Sequence, residues 1–173
     1  MTQQKFEIAV AQSSIDWLGR KVTGAHNGTI GLKQGELIVD DGHLSEGWFI
    51  IDTTSIKILD ITDPATNAQF AGHLASDDFF ASEQYPEAYF KINSVRNAHV
   101  EGDLTIKDIT NPVSFDIELN VAGDQLTATG KITIDRTRYG IRFRSGNFFQ
   151  NLGDTLIYND FELHVTLTAK AAA

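Results

Sequence analysis

Hydrophobic residues alternate with polar ones along much of this chain, and that period of two restricts the fold more than any other feature. Val113, Phe115, Ile117, Leu119 and Val121 fall on one face, and Ser114, Asp116, Glu118 and Asn120 on the other. Successive side chains of a strand point to opposite sides, so this run is a strand with one buried face. Gly123-Asp124 gives a tight turn. Leu126, Ala128, Gly130, Ile132 and Ile134 then repeat the pattern against Thr127, Thr129, Lys131 and Thr133. Near the end, Ile157, Phe161, Leu163, Val165 and Leu167 share a side, interrupted by Asn159. Asp40-Asp41-Gly42-His43 marks a further turn, between strands near 35–40 and 44–58. Consecutive antiparallel strands are expected over 87–135, with Phe115 and Ile117 inward.

Two segments break the rhythm. Asp63-Pro64 opens the first, with Asp as N-cap and Pro preorganised at the first helical position. The helix runs through Phe70 and Leu74, an apolar pair one turn apart. The second is a turn around Asp77 to Ser82, read as a short helix and closed by Tyr85-Pro86. These breaks fall in the one long connection, between strands ending near Ile58 and starting near Glu87, and long connections in compact domains tend to be lids. The expected fold is all-β: one domain over 1–173, an antiparallel barrel of about eight strands with short helical lid segments. A barrel of that size either fills its own interior or holds one small ligand. Alternation alone does not choose between these.

Composition removes several functions. Twenty-three acidic residues against fourteen basic ones give net charge −9, which disfavours nucleic acid and anionic membrane surfaces. Cysteine is absent, so no disulfide, thiol or zinc–cysteine chemistry is available. No run is long enough for a transmembrane helix, so stable membrane insertion is not expected. The opening M-T-Q-Q-K-F-E-I lacks the apolar core of a signal peptide. A cytoplasmic location is therefore expected, or a periplasmic one if a leader has been removed. Lys170-Ala171-Ala172-Ala173 reads as a cloning scar. His26, His43, His73, His99 and His164 show no ligand spacing, so neither a metal nor a cofactor is expected. Asp77-Asp78 reads as helix-capping rather than as a catalytic carboxylate pair. No nucleophile elbow, dinucleotide fingerprint or phosphate loop occurs.

Three stretches carry a resemblance. His73 to Phe90 reads H-L-A-S-D-D-F-F-A-S-E-Q-Y-P-E-A-Y-F, Gly102 to Val113 reads G-D-L-T-I-K-D-I-T-N-P-V, and Ile134 to Ile141 reads I-D-R-T-R-Y-G-I. Together they resemble the YceI-like family, lipocalin-like barrels associated with binding polyisoprenoids and other long-chain lipids. The likeness is strong from residue 44 onward and loose before it. Asp108 stands where the family often has Gly, and Asp tolerates the left-handed geometry such a turn uses.

The resemblance implies an elongated barrel with a tunnel, and hence non-catalytic binding or transport of a polyisoprenoid, isoprenoid quinone or fatty-acyl chain. Its apolar wall would draw on Trp17, Phe70, Leu74, Phe79, Phe80, Phe90, Ile92, Phe115, Ile117, Ile132, Phe148 and Phe161. Arg136, Arg138, Arg142 and Arg144 crowd into nine residues of an acidic chain. Arg136, inside the family-like I-D-R motif, reads as structural, closing a barrel corner. Arg138, Arg142 and Arg144 read either as a clamp for an anionic head group or as ordinary surface charge. His26 and His73 are expected near the cavity mouth. Two other readings stay open: an enzyme acting on a lipid or small molecule at the mouth, and a solid barrel serving interaction or stress assembly. A homodimer is compatible with all three.

Overall fold

In the computed structural model, which describes residues 3–21, 24–76, 78–141 and 157–172, with only the backbone of residue 158, the alternating segments close on themselves. The strands are β1 (Gln3–Ile8), β2 (Ser14–Lys21), β3 (Gly24–Asp40), β4 (His43–Ile58), β5 (Glu87–Arg96), β6 (His99–Ile106), β7 (Ile109–Ala122), β8 (Gln125–Asp135) and β9 (Ile157–Ala171). A helix, α1 (Pro64–Leu74), lies between β4 and β5. Every ladder is antiparallel.

β1 and β2 both pair with β3 on one side and β9 on the other, one above the other. They are a single stave, interrupted by a 3-10 turn at Val10–Gln12. The β3–β4 ladder closes the ring, so the molecule is an eight-stranded antiparallel barrel. The split first stave escaped sequence reading because neither half is long enough to show a period of its own.

Inward residues interdigitate as a period of two requires. Ala88, Phe90 and Ile92 descend one face of β5, and Leu163, Val165, Leu167 and Ala169 one face of β9, all buried. Phe115 and Ile117 face the core from β7, as expected. β7 differs from its neighbours in that its inward residues are all only half-buried. It pairs with β6 through residues 109–116 and with β8 through 117–122, so above Gly130 the β7 and β8 backbones are not laddered. The 3-10 turn Arg136–Tyr139 packs against β7 beside this seam. Tyr139 and Ile141 are buried there, and the Asn111 side chain donates to the Arg138 carbonyl at 2.8 Å. The I-D-R-T-R-Y-G-I stretch therefore packs against an unladdered part of the barrel wall. Gly140 ends the turn at φ 75°, a conformation that favours glycine.

The lid follows its capping chemistry. Asp63 caps α1 by accepting from the Thr66 amide at 3.0 Å, and Pro64 takes the first position. The second segment is not helical: residues 78–84 form successive turns. Ala81 adopts φ 45°, and the Phe79 and Ala81 amides both donate to the Ser76 carbonyl, which is incompatible with helical propagation. Asp77 lies outside the described residues. Asp108, as expected, is left-handed, at φ 60°.

Asn67 holds α1 to the barrel. Its side-chain amide donates to the carbonyls of Ile58 at 2.9 Å and Ile61 at 3.0 Å. Losing both bonds in Asn67→Ala should cost about 1–2 kcal/mol. The expected signature is faster amide exchange in 64–74 with β8 and β9 unchanged. Unchanged exchange in the helix would mean that Asn67 does not hold the lid.

Candidate functional site

The half of the barrel beneath α1 encloses a cavity of about 370 Å³. Its apolar surface comes from strands and lid together. Trp17, Phe70, Leu74, Phe79, Phe80 and Phe161 all line it. Phe80 meets Phe161 edge-on with centroids 6.4 Å apart, so a lid ring rests against a ring of β9.

The polar groups deep in this space are committed to backbone carbonyls. Trp17 Nε1 donates to Thr29 at 3.2 Å, and Thr53 Oγ1 donates to Tyr85 at 2.6 Å. Arg136, only 4% exposed, donates to Ile141 at 3.0 Å and Ile157 at 3.1 Å. Its guanidinium also stands 6.0 Å above the Phe79 ring. Burial lowers its pKa to about 10, opposed by the neighbouring Asp135 charge. A cavity whose polar atoms are already satisfied offers an entering molecule mainly apolar contact.

The rim is polar. Arg20, Lys21, His26, His73 and Asp160 contribute to it. Arg20 is held by Glu162 at 3.1 Å. His26 Nδ1 lies 2.7 Å from Asp60, and its ring meets Phe70 edge-on at 4.8 Å. His73 Nε2 lies 2.9 Å from Asp78, and its ring meets Phe79 edge-on at 5.0 Å. Each imidazole thus touches a lid phenylalanine on one side and a carboxylate on the other. Burial opposes ionisation of Asp60, but bonds from His26 and the Asn27 amide, with the His26 charge, hold its carboxyl below the usual range. Among the described residues, no group of three metal-ligating side chains converges, and no helix is long and apolar enough to cross a membrane.

Below this space the barrel is nearly solid. Phe90, Ile92, Phe115, Ile117 and Ile132 surround a second void of only about 30 Å³. The twelve apolar residues singled out from sequence therefore divide. Six line the large cavity, five pack the lower half, and Phe148 lies outside the described residues.

The arginines require a correction. Arg138 is exposed on the 3-10 turn and does not line the cavity, because Arg136 and Tyr139, three residues apart, share the inward face of that turn instead. Arg136, read from sequence as structural, does line it. Arg142 and Arg144 lie outside the described residues. Sequence reasoning also passed over Arg20, Lys21, Thr53 and Asp160, whose lining role depends on strand register rather than on any local motif.

Comparison with known proteins places this geometry. The family model for the YceI-like domain matches residues 6–169. A UPF0312 protein of Staphylococcus aureus strain USA300 is 44% identical over 80 residues, covering 41% of this chain and 46% of that protein. The chain thus matches about half the length of such relatives. Burkholderia cenocepacia BcnA superposes with TM-score 0.76 at 19% identity, over 94% of this chain and 99% of that one. A polyisoprenoid binding domain from Saccharophagus degradans, implicated in plant cell wall breakdown, superposes with TM-score 0.66 at 13% identity, over 96% and 98%. At these identities the two structures share the fold.

Proposed function

This chain belongs to the YceI-like family, and on that premise we propose that it binds, without catalysis, an apolar lipid chain of isoprenoid or fatty-acyl type. The observation that carries this reading is the cavity of about 370 Å³ under an aromatic lid, with its buried polar groups bonded to the protein's own carbonyls. Binding there proceeds by burial, worth about 0.8 kcal/mol per methylene removed from water. Specificity for an apolar chain follows from the same fact, since a polar chain would lose its hydration without gaining partners. The polyisoprenoid-binding description of the Saccharophagus degradans domain, which shares the fold, supports the isoprenoid class.

Native mass spectrometry of the purified protein tests this. The expected spectrum shows the protein carrying a copurified apolar molecule, identified after solvent extraction, and the stripped protein rebinding a prenyl or fatty-acyl chain. Folded, stripped protein that takes up neither class would overturn the proposal.

A further inference from the structure

The two internal spaces are separate, and what divides them has a consequence for ligand length. We propose that this barrel is a short-chain binder, with an aromatic floor centred on Phe90 limiting the inserted chain to about a dozen carbons. This rests on the apolar-chain reading above and narrows its ligand class. The capacity follows from the cavity of about 370 Å³, taking each chain carbon at about the 30 Å³ that one water occupies in the liquid. The space beneath, also about 30 Å³, adds roughly one carbon more.

The floor is a built feature. Phe90 is 2% exposed, and its ring centroid lies 5.1 Å from Phe49 and 5.6 Å from Phe115. Phe49 and Phe90 are register partners on the adjacent strands β4 and β5, and Phe115 reaches Phe90 from β7, two strands further round the wall. Gly102 on β6 makes room for them. A Cβ at that position would sit 2.6 Å from Phe90 Cζ, closer than packed atoms approach. On β5 the inward row reads Ala88, Phe90, Ile92, with Ala88 bordering the cavity and Phe90 and Ile92 bordering the void below. Small above and large below is the arrangement that stops a chain part-way down.

The test is a titration of stripped protein with prenyl alcohols of two, three and four isoprene units. Each methylene newly buried multiplies affinity about fourfold. In the wild type, affinity should climb about sixteenfold from two units to three, as about two more carbons enter, then change less than about threefold from three to four, because the added carbons stay in water. Phe90→Ala opens the floor, and the step from three units to four should become at least tenfold. Phe115→Ala, at a half-buried position, gives the same readout if Phe90→Ala does not fold. A wild-type affinity that keeps climbing tenfold or more at four units would overturn the length limit while leaving apolar-chain binding intact. Plateaus unchanged in the folded floor variants would overturn the role of the rings. Folded protein that binds none of the alcohols, and no fatty acid either, would overturn the binding reading and the limit with it.

Discussion

Ala88→Trp is expected to weaken ligand binding roughly a hundredfold while leaving the barrel folded. Ala88 is buried and borders the cavity from the inward face of β5. An indole placed there extends into space that is empty, not into packed core, so the overpacking penalty that usually follows small-to-large changes is largely avoided. What it displaces is ligand. Occupying the volume of about four methylenes forfeits about 3 kcal/mol of burial, or roughly a hundredfold in affinity. The measurement pairs a binding titration with thermal unfolding. A melting temperature within a few degrees of wild type, with affinity roughly a hundredfold lower, is the expected outcome. Full affinity in the folded variant would show that the chain does not enter by this cavity.

That prediction depends on knowledge the sequence supplies unevenly. The inward rows of β7, β8 and β9 were legible because a half-buried strand has a period of two, and nothing else in a polar–apolar pattern mimics it over ten residues. The lid helix was legible from Asp63-Pro64, because capping is chemistry between near neighbours. Two kinds of information were not legible. One is height in the barrel. Phe79 and Phe115 look alike in sequence, yet one lines the cavity from the lid and the other packs the half of the barrel below it, which no local pattern shows. The other is committed polarity. Arg136 and Arg138 are two residues apart in one motif, and only the packing of the 3-10 turn sends the first guanidinium into the core and leaves the second in water. Lys21 and Asp160 reach the rim by strand ends that carry no signature. The sequence identified the material of the site; the ladder arranged it.

Arg136 itself carries the largest expected effect on stability. Its guanidinium joins the carbonyl of Ile141, where the 3-10 turn ends, to that of Ile157, where β9 begins. The I-D-R motif that marked the family is thus a clasp between two ends of the barrel wall. Burying the cation is unfavourable, as its lowered pKa of about 10 records, so the two bonds must outweigh a desolvation cost. Removing the side chain leaves both carbonyls without this donor and opens a space beside Phe79. Arg136→Ala should therefore cost about 3–5 kcal/mol, lowering the melting temperature by roughly 10 °C for a domain of this size. Arg136→Met retains most of the volume but no donor, so the difference between Met and Ala separates packing from hydrogen bonding. Arg136→Lys keeps the charge, but one ammonium lacks the fork that serves both carbonyls in this geometry, and it should recover less than half of the loss. Folded and unfolded chains both carry the charge below about pH 9, since a depressed arginine pKa of about 10 alters proton uptake only above that. The destabilisation should accordingly be the same at pH 6 and pH 8. A Met variant within about 0.5 kcal/mol of wild type would show that the clasp contributes shape alone.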